Sequence, residues 1–346
     1  MKIKPEIRMK TRLVTWIALP ITITAALPAA APATDATMKA IVVHHYGGPE
    51  VLKLEQTSQP QPKDDEVLIR VMAAGVNPID AYIRSGRFGA DKLPYIPGMD
   101  VAGVVAATGS KAKKFKPGDA VYAYVSDEQG GYAEFCVAKE NEVSLKPKNI
   151  GFEQAAAVPL AATTAWQALI DAARLQAGQT VLIFGASGGV GHFAVQIAKA
   201  RGAKVIATAS AEHQGLLKEL GADQAIDYSK TKFEQVVKDV DVVLEATRSD
   251  SMARSYGIVK KGGVVVSITG DPDQAELNKH GLRGASVGVH SEAQVLEELT
   301  KLIEAKKVRP IVSQTFPLAD ADKAHQQIET RHTAGKIVLK VAEDAR

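Results

Sequence analysis

The chain has 346 residues, a length that suits two domains better than one compact core, and its composition is ordinary for a globular protein. A net charge of +3 without a basic stripe gives no reason to expect a nucleic-acid partner. The single cysteine, Cys136, excludes an intramolecular disulfide and cannot alone build a zinc site, so we expect it to be a small packed residue.

The first 37 residues predict a secretory signal peptide and a short linker. Five basic residues lie within positions 1–12, a mostly apolar segment spans 13–31, and Ala31-Pro32-Ala33 matches an A-x-A cleavage pattern. Two prolines and several threonines interrupt the apolar segment, so no stable membrane span is expected. The pattern favours export to the periplasm. The alternative is a cytoplasmic protein whose translation starts at Met38.

Residues 38–158 predict a β-rich domain. Short apolar runs rich in strand-forming residues are separated by proline and glycine turns, and helical periodicity is weak. Strands are expected over Lys39–Val43, Glu66–Ala73, Gly103–Thr108 and Ala120–Val125.

Residues 159–309 alternate between strands and helices, which is typical of a parallel sheet with helices on both faces. After a helix over Thr163–Arg174, strands are expected near 180, 204, 224, 241, 263 and Ser286–Val289, followed by a helix over Glu292–Lys306. The remaining residues, 310–346, resemble a return to the first domain. They predict a strand over Val312–Phe316, a helix over Ala319–Thr330 and a strand over 335–341.

The segment 180–210 predicts a strand, turn and helix that bind a dinucleotide. A G-x-G-x-x-G pattern aligns with Ala186, Gly188 and Gly191, so alanine replaces the first glycine. Without a Cβ, Gly188 lets the backbone approach a pyrophosphate, and Gly191 lets the helix pack closely on the strand. The N–H groups and dipole of the helix N-terminus would stabilise the phosphate charge. The predicted contacts are Ala186, Ser187, Gly188, Gly189, Val190 and Gly191.

The end of the second strand favours NADPH over NADH. Ser210 lies nineteen positions after Gly191, where an NAD site usually has an acidic residue for the ribose 2′-hydroxyl. Serine does not repel a 2′-phosphate and can donate a hydrogen bond to it. His213 and Tyr228 could add contacts, although Glu212 opposes them. The alternative is that His213 and Tyr228 are ordinary surface residues.

Several motifs after residue 37 occur in an order that resembles the medium-chain dehydrogenase/reductase superfamily, in particular its zinc-free quinone oxidoreductase, or zeta-crystallin-like, branch. They include GVNPIDAYIRSG (75–86), PGMDVAGVV (97–105), KPGDAVYAY (116–124), GGYAEF (130–135), AATTAWQAL (161–169) and GKIVLKV (335–341).

The resemblance implies an α/β protein with an active-site cleft between two domains. One is a GroES-like β-rich catalytic domain, residues 38–158 completed by 310–346. The other is a Rossmann domain with a doubly wound parallel sheet that binds NADP, residues 159–309. The resemblance also suggests a homodimer formed through Rossmann edge strands near Ser286–Val289.

Zinc ligands of related alcohol dehydrogenases are replaced in this chain. Their first cysteine corresponds to Asn77, and their G-H-E motif to Gly98-Met99-Asp100, so a zinc-free enzyme is expected. Without a Lewis acid, oxidising a simple alcohol is difficult. A quinone or an α,β-unsaturated carbonyl can accept a hydride with only hydrogen bonds and a proton. An NADPH-dependent quinone or enone reductase is therefore the leading hypothesis.

The resemblance also implies two catalytic residues. Asn77 would hold the acceptor oxygen, and Tyr82 would bond or protonate it, although a water could replace either. The alternative for Tyr82 is a partly buried aromatic wall. Asp80 and Arg84, four residues apart, are expected to form a structural pair on one helix face.

Further cofactor contacts follow from the same resemblance. Thr164 matches a residue near the nicotinamide amide, Tyr228 and Arg331 match residues near the adenosine phosphate, and Thr247 follows the fourth strand on the cofactor side. His213 stands where a lysine is frequent, which weakens one phosphate contact.

Two alternative functions remain open at this stage. An enoyl-thioester reductase would need a basic groove for a carrier phosphate, and a catalytically silent NADPH-binding or structural relative would bind the cofactor without turnover. Export would also leave the source of NADPH unexplained.

Overall fold

The computed structural model describes residues 1, 36–88, 92–126 and 130–343. The elements below belong to the unit formed by residues 36–346. Of the predicted signal peptide and linker, residues 2–35 lie outside the described residues. Within the described residues, no helix has the length and apolar character needed to cross a membrane.

The described residues form strands and helices in the following chain order. The strands are β1 Thr37–Val42, β2 Lys53–Ser58, β3 Glu66–Val76, β4 Asp100–Thr108, β5 Ala120–Tyr124, β6 Phe135–Lys139, β7 Val143–Leu145, β8 Thr180–Ile183, β9 Lys204–Ala209, β10 Gln224–Asp227, β11 Val240–Glu245, β12 Val259–Ser267, β13 Arg283–Ser286, β14 Val312–Pro317 and β15 Lys336–Lys340. The helices are α1 Pro78–Arg84, α2 Phe152–Ala156, α3 Pro159–Trp166, α4 Gly191–Ala200, α5 Gln214–Glu219, α6 Ser251–Ser255, α7 Gln274–His280, α8 Ala293–Glu304 and α9 Ala321–Glu329.

Six parallel strands form a doubly wound sheet in the order β10-β9-β8-β11-β12-β13. Central strands such as β8 and β11 are almost entirely buried, as their near-continuous apolar sequences require when helices cover both faces. The order reverses between β8 and β11. Ligands of such sheets bind in the crevice outside the carboxyl ends of the strands at this switch point.

A second, seven-stranded sheet contains both early and late segments of the chain. Its order is β14-β15-β3-β4-β5-β7, with β6 also paired to β3. β15 runs antiparallel to β3 with Ile337 opposite Val76, and β4 flanks β3 on its other side with Asp100 opposite Gly75. The end of β3 therefore lies between the start of β15 and the start of β4. The expected combination of a GroES-like part and a Rossmann part is confirmed.

The two sheets share a hydrophobic core. Ala102 and Tyr122 of the seven-stranded sheet belong to the same buried cluster as Ile183 and Leu296 of the parallel-sheet part. The Tyr122 hydroxyl donates to the carbonyl of Leu296 at 2.6 Å. Apolar burial with a satisfied polar group holds the two parts in one arrangement.

Most predicted elements are confirmed, with differences at edges and ends. β2, β6 and β7 were not predicted. β2 is polar and mostly exposed, so it lacks an apolar alternation. α3 starts at Pro159, four residues earlier than predicted, because proline is favoured in a first helical turn, and a π-helical turn over Gln167–Ala172 follows it. β13 begins at Arg283, three residues before the predicted Ser286–Val289, because its pairing with β12 starts there, with Arg283 opposite Val264.

Candidate active site

The turn between β8 and α4 has a geometry that requires glycine at two positions. Gly185 has φ +66°, in the left-handed region that favours glycine, and its carbonyl accepts the N–H of Gly188 at 3.0 Å. A Cβ on Gly191 would collide with the Gly185 carbonyl oxygen and lie 2.6 Å from the Cα of Ala186. The absence of a side chain at Gly191 therefore lets α4 start directly against the turn.

The outer side of the turn can accept a phosphate. α4 begins after Val190 without a side-chain cap. The first N–H groups of a helix have no acceptor within the helix, and of these His192 donates to the Gly188 carbonyl at 3.1 Å. A Cβ on Gly188 would approach only the Gly185 oxygen, at 3.3 Å. Ala186 is buried beneath the turn and donates to Thr208, and the Ser187 carbonyl accepts the N–H of Gly335. The turn therefore fits a pyrophosphate on its open side.

The residues predicted around the ribose lie together beyond the end of β9. Ser210 follows the strand, His213 donates its backbone N–H to the Ser210 carbonyl at 3.1 Å, and Tyr228 donates its backbone N–H to Ala209 at 3.3 Å. The Tyr228 side chain is 64% exposed. The Glu212 carboxylate accepts the Ser210 hydroxyl at 3.3 Å and lies 3.5 Å from His213. A negative charge thus sits beside the site expected to take a 2′-phosphate.

The other predicted cofactor residues occupy separate positions. Thr164 is buried, and its hydroxyl donates to the Leu160 carbonyl at 2.7 Å, so only its acceptor lone pairs remain for a ligand. Thr247 donates through N–H and O–H to the Glu245 carboxylate, and its methyl group lies beside Gly185. Arg331 lies in an exposed turn between α9 and β15, with φ +61°.

Asn77 lies buried at the end of β3 within a charged cluster. Its backbone N–H donates to Asp80 Oδ2 at 2.8 Å, and its side-chain Nδ2 donates to Asp100 Oδ2 at 2.9 Å. Its Oδ1 accepts a hydrogen bond from Lys336 Nζ. Lys336 is only 3% exposed and also contacts Asp100 at 3.2 Å. The side chain of Asn77 is thus held between an ammonium and a carboxylate.

Asp100 and Lys336 were not predicted as site residues. They reach Asn77 because β4 and β15 flank β3, which brings three residues distant in sequence together at the end of β3. Gly75 makes room for this arrangement, since a Cβ there would lie 2.9 Å from the Asp100 carboxylate. Lys336 also packs against the glycine turn, since a Cβ on Gly189 would lie 3.4 Å from its Cδ. The cluster therefore joins the cofactor turn to Asn77.

Tyr82 lies on α1, the helix that follows Asn77. Its half-buried ring lies between two guanidinium groups, that of Arg87 at 4.9 Å and that of Arg248 at 5.0 Å from the ring centroid. Arg248 directly follows Thr247, so this contact places Tyr82 opposite the end of β11. Arg248 was not foreseen, since nothing in its local sequence indicates a partner on α1. The aromatic wall and the proton donor remain alternative roles for Tyr82.

The predicted pair between Asp80 and Arg84 is wrong. Asp80 accepts the Tyr132 hydroxyl at 2.8 Å in addition to the Asn77 N–H, and burial raises the pKa of Asp80 to about 7. Arg84 donates to Glu329 at 2.5 Å and contacts His325 at 3.2 Å, both on α9. The two side chains are buried against different neighbours, which outweighs a local i,i+4 attraction.

Neither the cysteine nor a metal-ligand cluster adds chemistry among the described residues. Cys136 is free and buried, as expected for a packed residue, and burial raises the pKa of its thiol to about 12. Within residues 36–88, 92–126 and 130–343, no group of three or more His, Cys, Asp or Glu side chains could hold a metal ion.

Comparisons with known proteins agree with this architecture. The family model described as the alcohol dehydrogenase GroES-like domain matches residues 63–168, and the one described as zinc-binding dehydrogenase matches residues 220–339. An NADPH-dependent alkenal/one oxidoreductase of Arabidopsis thaliana is 42% identical over 87% of this chain and 79% of its own length. A quinone oxidoreductase of Sus scrofa is 38% identical over 87% of this chain and 97% of its own length.

A solved structure shows the same fold. The quinone oxidoreductase from Coxiella burnetii superimposes with a TM-score of 0.82 at 34% identity, covering 89% of this chain and all of that one. A GroES-like sheet joined to a doubly wound sheet with a glycine turn defines a dinucleotide-dependent dehydrogenase or reductase. The chain belongs to the medium-chain dehydrogenase/reductase superfamily, in its zeta-crystallin-like branch.

Proposed function

We propose that this protein transfers a hydride from NADPH to a quinone or an α,β-unsaturated carbonyl. The observation that carries the proposal is the buried amide of Asn77, fixed beside the glycine turn by Lys336 and Asp100. The names of the Arabidopsis and pig relatives, an alkenal/one oxidoreductase and a quinone oxidoreductase, support the same acceptor class.

Bound NADPH would supply the hydride. The turn residues 186–191 and the N-terminus of α4 would hold its pyrophosphate, because unpaired N–H groups and a positive dipole end favour negative charge. Ser210, His213, Tyr228 and Arg331 would take the adenosine phosphate. The nicotinamide would lie toward Thr164 and Thr247, a placement that the contact of Thr247 with Gly185 supports.

Asn77 and Tyr82 would serve the acceptor. Among the described residues, Asn77 Nδ2 donates to Asp100 alone, so its second N–H is available to an acceptor oxygen on which negative charge develops. A fixed donor of this kind contributes about 100-fold or more to the rate. Tyr82, whose ring contacts the Arg248 guanidinium, or a water would supply the proton.

We also propose that the reaction needs no zinc. An amide replaces the thiolate that related alcohol dehydrogenases use, and the ammonium of Lys336 lies beside Asn77 and Asp100, where it would repel a second cation. Full activity of metal-stripped protein in a chelator would support this proposal, and restoration by added Zn²⁺ would refute it.

Three further features of the chain remain proposals. The domains would span 38–158 with 310–346, and 159–309. The edge position of β13 in the parallel sheet supports a homodimer, which light scattering after size-exclusion chromatography tests directly. Export through residues 1–37 rests on sequence alone, and sequencing the N-terminus of the native protein tests it.

An acceptor screen tests the proposed activity. NADPH and NADH are supplied side by side to quinones, enones and an enoyl thioester, and oxidation is followed by absorbance. We expect NADPH-dependent turnover of quinones or enones, and an Asn77→Ala variant with a kcat about 100-fold lower that still binds NADPH. Exclusive turnover of the thioester would favour an enoyl-thioester reductase. NADPH binding without any turnover would identify a silent relative.

A further inference from the structure

We propose that Lys336 and Asp100 are positioning residues that fix the orientation of the Asn77 amide, so that it presents an N–H and not its oxygen to the acceptor. The inference rests on the proposed function, which makes Asn77 the group that meets the acceptor oxygen. The buried ion pair of Lys336 and Asp100 would then have a function, although neither residue takes part in the hydride transfer itself.

The orientation follows from the chemistry of the two partners. A lysine ammonium has donors and no acceptor, whereas an ionised carboxylate has acceptors and no donor. Lys336 Nζ can therefore face only Oδ1 of Asn77, and Asp100 Oδ2 can face only Nδ2. Both partners select the same amide orientation. Turning the amide over would place oxygen against carboxylate and N–H against ammonium.

Each member of the pair is itself fully engaged. Lys336 Nζ donates to the Val76 carbonyl at 3.0 Å as well as to Asn77 and Asp100, which uses its three donors. Asp100 Oδ1 accepts the backbone N–H of Leu160 at 2.7 Å. The ammonium has no hydrogen left for a substrate. Its effect on the acceptor must therefore pass through Asn77.

The position of Lys336 in the chain links the same amide to the cofactor turn. The residue before it, Gly335, donates its N–H to Ser187 at 2.8 Å, and the stem of Lys336 lies beside Gly189. The strand that carries the ammonium is thus anchored to the turn expected to hold the pyrophosphate. This geometry keeps Asn77 in register with the bound nucleotide.

A double-mutant cycle between Lys336 and Asn77 tests the inference. Lys336→Met keeps the length of the side chain and removes its charge and donors. Lys340→Met is the matched control, since Lys340 lies on the same strand but is partly exposed and pairs with Glu343. We expect Lys336→Met to lower kcat by about 10- to 100-fold while the dissociation constant of NADPH, measured by fluorescence, changes less than about threefold. In an Asn77→Ala background the same substitution should change kcat less than about twofold. An equal loss in both backgrounds would show that Lys336 does not act through Asn77.

A binding measurement keeps the test independent of turnover. The delocalised oxyanion 4-nitrophenolate mimics the charge that develops on the acceptor, and its absorbance reports binding to the NADP⁺ complex. We expect Lys336→Met to weaken this binding about tenfold or more, and Lys340→Met to leave it unchanged. Unchanged phenolate binding in Lys336→Met would overturn the inference. If the wild-type protein reduces no acceptor, the proposed function fails, yet the phenolate titration still decides the orientation of Asn77.

A second variant addresses the charge that Lys336→Met leaves behind. An unpaired Asp100 carboxylate, buried completely, can unfold the protein on its own account. The double variant Lys336→Met/Asp100→Asn contains no buried charge at this position and no longer selects an amide orientation. It should melt close to the wild-type temperature and still show the loss of kcat and of phenolate binding. A stable double variant with wild-type kcat would refute the inference.

Discussion

Alanine substitutions at three glycines separate the structural and ligand-binding roles of the nucleotide turn. A Cβ on Gly191 would collide with backbone atoms of Gly185 and Ala186, which cannot move aside cheaply, so Gly191→Ala should cost about 3 kcal/mol of folding stability. A Cβ on Gly188 meets only the Gly185 oxygen, at 3.3 Å, so Gly188→Ala should cost less than about 1 kcal/mol. Its methyl group would instead occupy the approach of the pyrophosphate and weaken NADPH binding at least tenfold, about 1.4 kcal/mol.

The matched control is Gly215→Ala in α5, where a Cβ has open space around it. Alanine in a helix should raise stability there by about 0.5–1 kcal/mol and leave NADPH binding unchanged. Urea unfolding measures stability, and fluorescence titration measures the dissociation constant of NADPH. Wild-type stability of Gly191→Ala would refute the backbone collision. Wild-type NADPH affinity of Gly188→Ala would refute the placement of the pyrophosphate.

Three other predictions use charges and burial. Because burial raises the pKa of Asp80 from 3.8 to about 7, the folded protein holds a proton between these pH values that the unfolded chain has released, so stability falls as pH rises through this range, by up to about 4 kcal/mol. About 3 kcal/mol of this loss falls between pH 5 and pH 8, so urea unfolding at these two pH values should show it in the wild type but not in Asp80→Asn. Ser210→Asp adds a carboxylate beside that of Glu212 and should shift the ratio of the affinities for NADPH and NADH toward NADH by at least about tenfold. If the substitution leaves the titration curves of both nucleotides unchanged, the proposed phosphate site is contradicted. Since burial raises the pKa of the Cys136 thiol to about 12, an aromatic disulfide reagent should label it only after unfolding, and rapid labelling of the native protein would show that the residue is accessible.

The nucleotide-binding part was predictable because its signals are local. A buried strand, a glycine turn and an amphipathic helix follow one another within about thirty residues, and each signal lies in the residues that form the element. The same holds for Ser210, whose position after the second strand follows from the length of a βαβ unit. β2 escaped prediction because an exposed edge hairpin needs no apolar pattern.

The acceptor region depends on contacts between segments far apart in the sequence. Asn77 was proposed from a family resemblance, but its partners Asp100 and Lys336 lie 23 and 259 residues further along the chain. The pairing of Asp80 with Arg84 failed for the same reason, because helix spacing describes an isolated helix whereas tertiary burial gave each residue a different neighbour.

The sequence by itself determined the class of fold and the nucleotide turn, since periodicity and short motifs record local geometry. Asn77 and Tyr82 followed from a family resemblance and stay proposals as acceptor residues. Only the tertiary structure decided which atoms of Asn77 are engaged. The antiparallel register of β3 with β15 and β4 places an ammonium on one side of the amide and a carboxylate on the other. Hydrogen bonds between strands set that register, and the residues that they bring together are not neighbours in the chain.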